Sequence, residues 1–167
     1  MSTLTSPVVS PSGEPVNFND QDRLLEEAAA VVREQAYYMR QAVDNDSLRD
    51  MLKHGSNMIC ELRTSLLSPK TYYELYMMVF NELQLLAAYF QDRQRHGQKM
   101  KHLYESVQHA GNILPRLYLL VTVGVGYIKS KEDRACEILR DLTELSKGVQ
   151  HPMRGLFLRF FSVFSFR

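Results

Sequence analysis

The chain has 167 residues, of which 45% are apolar, 23% charged and 10% aromatic. These fractions fit one soluble globular domain, or a piece of a larger one, and exclude a disordered or collagenous chain for most of the length. Twenty basic against nineteen acidic side chains leave a net charge of +1, which speaks against a general nucleic-acid binder and a polybasic membrane anchor, both of which need a surplus of cations.

In chain order, Met1 to Ser10 lacks the basic and apolar regions of a signal peptide. Pro7, Pro11 and Pro15 lie among serines, threonines and Gly13. Such a composition buries too little apolar surface to offset its ordering entropy, so residues 1–18 are expected to be a disordered tail. Helical signals start at Asn19. The first helix is expected over Asp20 to Val43, capped by Asn19 or Asp20, with Leu24, Ala28, Val31, Val32, Gln35 and Met39 on one face. Asp44-Asn45-Asp46 breaks it. Ser47, with Asp50 three residues on, predicts the cap of a second helix whose apolar positions run from Leu48 to Leu66. Ser68-Pro69 marks the start of a long third helix to Arg95, because the proline's missing N–H costs nothing in a first turn. Its expected stripe is Tyr72, Tyr73, Tyr76, Val79, Phe80, Leu83, Leu86, Ala87 and Phe90.

Gly97 is the expected residue just past that helix. A fourth helix follows over Met100 to Ala110, and a fifth, capped by Asn112 with Pro115 in its first turn, runs to about Tyr127. The apolar run Ile113 to Ile128 is shorter than the ~20 residues of a bilayer span and contains Arg116, so it is read as a buried core helix. A sixth helix is expected from Lys131 to Lys147, before Gly148, with Ala135, Ile138, Leu139, Leu142 and Leu145 facing inward. Pro152 opens a very apolar seventh. The fold class is therefore all-α. Successive helices with broad apolar stripes suggest a stacked α-solenoid of antiparallel helix pairs rather than a closed bundle.

Catalytic templates are absent. Gly124-x-Gly126-x-x-Lys129-Ser130 only superficially resembles a phosphate loop, lacking an adjacent Gly-Lys and a preceding strand. No two of His54, His96, His102, His109 and His151 have the one-turn spacing of a zinc helix. Cys60 and Cys136 are isolated, which points to a reducing compartment such as the cytosol. The cations Arg93, Arg95, His96, Lys99, Lys101 and His102 read more simply as a solvated loop at a helix end than as a binding patch. The oddity is Pro115-Arg116-Leu117-Tyr118-Leu119-Leu120, a permanent cation at the start of the most apolar helix. Arg116 could snorkel, pair with a carboxylate, or donate a bidentate bond to a partner.

At this hexapeptide the chain resembles a known family. Asn112 to Leu120, Leu103 to Gly111, Glu61 to Tyr76 and Gly148 to Arg159 resemble, in order, blocks of the N-terminal region of the large scaffold subunit of retromer, the vacuolar protein sorting-associated protein 35 family. The resemblance covers about residues 20 to 161 and implies a non-enzymatic α-solenoid without a cofactor, acting in endosome-to-Golgi and recycling transport on the cytosolic face of endosomes. It implies that Pro115, Arg116, Leu117, Tyr118, Leu119 and Leu120 hold the arrestin-like retromer subunit. It also implies contacts with a sorting nexin and a late-endosomal small GTPase, with membrane association through partners. Ser106 departs from the family's aliphatic residue. The family's pattern is expected to stop after Phe161, leaving residues 19–167 as a truncated N-terminal portion of the solenoid. The alternatives are a small helical enzyme with a site drawn from distant segments, an unrelated helical adaptor, or a non-functional truncated product.

Overall fold

A computed structural model describes residues 18–109, 111–131 and 135–167. The expected tail and Ala110 thus lie outside the described residues, except that Phe18 already belongs to the first helix. Among the described residues there are seven α-helices and no strands: α1 Phe18–Asp44, α2 Leu48–Cys60, α3 Pro69–Arg95, α4 Met100–Gln108, α5 Ile113–Ser130, α6 Ala135–Lys147 and α7 Pro152–Ser165. The all-α expectation holds, and the helices pack as a solenoid segment. α1 and α2 form a hairpin on which α3 stacks, and α5 is wrapped by α2, α3, α4, α6 and α7.

Local chemistry sets most boundaries. Ser68 caps α3, its hydroxyl accepting from Thr71 N at 3.4 Å. At the other end Gly97 takes φ 89°, while Gln98 N donates to Arg93 O and Gly97 N to Gln94 O. This is the paired bonding of a Schellman motif. The same pattern closes α1, with Asp46 in the left-handed position at φ 54° and Ser47 N and Asp46 N donating to Ala42 O and Val43 O.

Three caps differ from expectation. α1 begins before Asn19 and Asp20, so neither stands outside it. The Ser47 hydroxyl donates to Asp50 Oδ2 at 2.8 Å rather than capping the backbone. The Asn112 amide turns to Cys60 Sγ at 3.5 Å. α2 also ends early. Its apolar period runs on to Leu66, but the chain tightens into a 3₁₀ turn at Glu61–Arg63. Distant side chains take the carbonyls there: Tyr72 OH donates to Leu62 O, Arg154 to Arg63 O, and Gln21 to Leu66 O.

The core is one continuous cluster from Val32 to Phe161. Tyr72 and Tyr76 are buried in it as expected, while Tyr73 is half exposed. On α1 the buried line is Ala29, Val32, Ala36, Met39 and Ala42, and Val31 faces outward. α6 buries Ile138, Leu142 and Ser146, leaving Leu139 and Leu145 exposed. α5 is long and apolar enough by composition alone to cross a membrane, yet thirteen of its eighteen residues are buried among the other helices. Gly124 and Gly126 lie inside this helix, not in a loop. A Cβ on them would come within 3.1 Å of Leu142 Cδ1 and 3.3 Å of Met100 Sδ, so these glycines let α6 and α4 approach α5 closely.

Asp46 ties the α1–α2 turn to the end of α3. Its carboxylate pairs with Arg93 and accepts from Tyr89 OH at 2.5 Å. The Arg93 hydrogen bond, helped by Tyr89, lowers the Asp46 pKa from 3.8 to about 2. A carboxylate with a depressed folded-state pKa adds stability that is complete above its unfolded pKa, falls as pH drops through the folded pKa, and is absent below it. The clamp is therefore expected to stay intact at pH 4 and to open as pH approaches 2. A ¹³C carboxyl titration should place the Asp46 midpoint near 2, and Arg93→Gln should move it up. A midpoint at the ordinary aspartate value would remove the clamp.

α7 buries Leu158 and Phe161 but exposes Leu156 (62%), Phe160 (55%), Val163 (71%) and Phe164 (50%). Contiguous exposed apolar side chains drive association. Covering the exposed parts of all four side chains contributes about 3–7 kcal/mol before the entropic cost of association, enough for weak self-association. Sedimentation velocity is expected to show concentration-dependent dimers or larger species, suppressed by Phe160→Glu with Val163→Glu. A concentrated wild-type sample that sediments as a monomer would contradict this.

Candidate partner-binding site

The expected site lies at the elbow between α4 and α5. α4 ends at Gln108, Gly111 and Asn112 make the bend, and Asn112 O accepts the first intrahelical bond from Arg116 N at 3.1 Å. Pro115 occupies the first turn of α5, where a backbone N–H has no intrahelical acceptor, so its ring fixes the entry angle without loss of a bond.

The six residues divide sharply. Leu117, Leu119 and Leu120 are 1% exposed and Tyr118 is fully buried, with its ring 5.0 Å from that of Phe161. Pro115 is buried as well. Burial pushes the Tyr118 hydroxyl well above the ordinary phenol range. Tyr76 and Tyr118 carry buried hydroxyls without a hydrogen-bond partner among the described residues. Arg116 alone of the six reaches the surface. Its guanidinium donates to Gly111 O at 3.3 Å, so part of its donor fork secures the elbow from which it projects.

Ile113, expected in the core, is instead 58% exposed. It stands three residues before Arg116 and so shares its helix face. The sequence signal was available, because a residue just after the cap precedes the buried turn. The run of apolar neighbours hid it.

The other candidate groups resolve on the chain itself. Arg93 is held by Asp46 and Gln98, His96 Nδ1 lies 2.8 Å from Asp92 O, and His102 lies 3.7 Å from Glu105. The expected solvated helix-end cluster is therefore what the structure contains. Among the described residues no group of three His, Cys, Asp or Glu side chains could hold a metal ion.

Comparison with known proteins adds a second line of observation. The profile of the family described as "Vacuolar protein sorting-associated protein 35" matches residues 24–166, past Phe161, where the resemblance was expected to stop. The chain is 55% identical over 141 residues to vacuolar protein sorting-associated protein 35C of Arabidopsis thaliana, covering 84% of this chain and 18% of that protein. It is 56% identical over 140 residues to the protein 35 of Dictyostelium discoideum, with the same coverage, and 41% identical over 138 residues to that of Schizosaccharomyces pombe, covering 82% and 16%. The chain thus spans under a fifth of the length of these relatives.

Proposed function

Because the chain belongs to the vacuolar protein sorting-associated protein 35 family, we propose that it serves as a non-enzymatic scaffold segment of the retromer cargo-recognition complex and binds the arrestin-like retromer subunit through the α4–α5 elbow. The relatives' names describe sorting, which supports transport rather than catalysis as its role. On this reading the chain works on the cytosolic face of endosomes and reaches the membrane through partners, among them a sorting nexin and a late-endosomal small GTPase.

The observation that carries the reading is the division of the hexapeptide. Five buried residues form a rigid base, and one cation is raised from it beside an exposed isoleucine. Hot-spot interfaces use this combination, an arginine whose geometry is fixed before binding next to an apolar contact. Co-precipitation with the purified arrestin-like subunit tests it. Wild-type chain should be retained, whereas Arg116→Ala and Ile113→Glu should be lost while keeping their helical circular dichroism. Full retention of both folded variants would remove the elbow from the interface.

A further inference from the structure

We propose that the cleft between α2 and the α4–α5 elbow is a second docking site, which takes a short acidic segment of a partner protein with an apolar side chain flanked by carboxylates or phosphates. The cleft has a volume of about 270 Å³ and lies beside the elbow without including Arg116. Its floor is Leu52, Val107 and Leu119, and its walls carry the cations Arg49 and Lys53 from α2 and the imidazole of His109 from the end of α4. No acidic residue lines it. Among the described residues, Arg49, Lys53 and His109 form no ion pair. The acids nearest in sequence are engaged elsewhere, Asp50 by Ser47 Oγ at 2.8 Å and Glu105 by His102 at 3.7 Å.

Elsewhere Arg33, Arg40, Arg93 and Lys147 lie against carboxylates. Two cations without a carboxylate partner thus line one concavity, where field lines focus and anions are attracted. The volume falls below the roughly 300–1,000 Å³ of small-molecule pockets and suits one or two side chains of a peptide. Apolar floor and cationic walls match acidic-motif recognition, in which charge-assisted bonds add to burial of an anchor. A lipid surface would need a broad face with about 4–8 clustered cations rather than a cleft. The lining also lacks the aromatic rings that stack nucleic-acid bases.

The test uses the full chain and a dye-labelled Glu-Glu-Leu-Glu-Glu peptide, read by fluorescence anisotropy. Parallel arms use the phosphoserine version, the version with glutamine for glutamate, and vesicles of phosphatidylcholine with phosphatidylserine. The acidic or the phosphorylated peptide should bind, the stronger arm naming the preferred anion, and the glutamine peptide should not. Arg49→Glu with Lys53→Glu, both exposed positions, should weaken binding about tenfold or more, since each now repels the peptide. Arg140→Ala, on the exposed face of α6 away from the cleft, should leave peptide binding unchanged. In the wild-type chain, amide shifts on peptide addition should cluster at Leu52, Val107 and Gly111. Equal binding of the glutamine peptide, an unaffected double variant, shifts elsewhere, or vesicle binding without peptide binding would each overturn the proposal.

Discussion

Gln21→Ala is expected to lower the stability of the chain by about 2–4 kcal/mol, although the residue is polar and lies one turn from the start of α1. Gln21 is 7% exposed, and its amide uses both ends. Nε2 donates to Leu66 O at 2.9 Å, while Oε1 accepts from Ser68 N at 2.6 Å and Thr71 Oγ1 at 3.0 Å. One side chain thereby anchors α1 to the α2–α3 connection, more than forty residues away. Removing it strands a carbonyl and an N–H in a half-buried site, where a buried group of either kind costs about 1–3 kcal/mol. Thr71 loses less, because its hydroxyl also lies 3.1 Å from Ser68 O. Thermal denaturation should show a midpoint lower by roughly 5–12 °C for a domain of this size. Gln21→Glu is the sharper control. It keeps the acceptor but sets a carboxylate against Leu66 O, so its loss should be larger at neutral pH than in acid, where the protonated form can donate. A Gln21→Ala chain that melts like wild type would show that water replaces all three bonds.

Arg116→Ala is expected to cost on the order of 2–4 kcal/mol of affinity for the arrestin-like subunit, as truncated hot-spot arginines do, and little stability. Truncation removes the side-chain bond to Gly111 O, a contact of the kind whose net value is about 0.5–1.5 kcal/mol. Arg116→Leu should fold and bind no better than alanine. Arg116→Lys should also bind poorly, since an ammonium cannot hold Gly111 O and present a planar fork at the same time. The neighbouring positions provide the contrast. Tyr118→Ala or Leu119→Ala opens a cavity at a site 0–1% exposed and should cost about 2–5 kcal/mol of stability. Binding isotherms and melting curves on these five variants and the wild type thus separate one interfacial residue from its structural base. The reverse pattern, with Arg116→Ala unfolding and Leu119→Ala tolerated, would place the arginine in the folding machinery.

Much of this was legible in the sequence. Ser68-Pro69, Gly97 and Lys147-Gly148 are local devices whose effect depends on a few adjacent backbone atoms, so α3 and the end of α6 fall where the residues say. The apolar period located every helix and separated Tyr72 and Tyr76 from the polar loops. The same reasoning failed where an apolar residue had two plausible faces. Val31, Leu139 and Leu145 fit a helical stripe as well as their buried neighbours do, yet α1 and α6 are rotated to bury Ala29, Ala36 and Ser146 instead. Small residues permit close approach, and that advantage exists only once a second helix is present.

The seven helices, the Ser68 cap, the Gly97 end and the all-α class follow from short-range sterics and hydrogen bonding, which the sequence carries. Tertiary contact decided the rest. It replaced the expected last stretch of α2 by a 3₁₀ turn and a loop, whose Leu62, Arg63 and Leu66 carbonyls accept from Tyr72, Arg154 and Gln21 of other segments. It turned Ile113 outward and sank Leu117 to Leu120, because α5 had five neighbouring helices to satisfy and only one face to spare. It also assembled Arg49, Lys53 and His109 from two helices about sixty residues apart into one cleft, a juxtaposition that no spacing in the chain could encode.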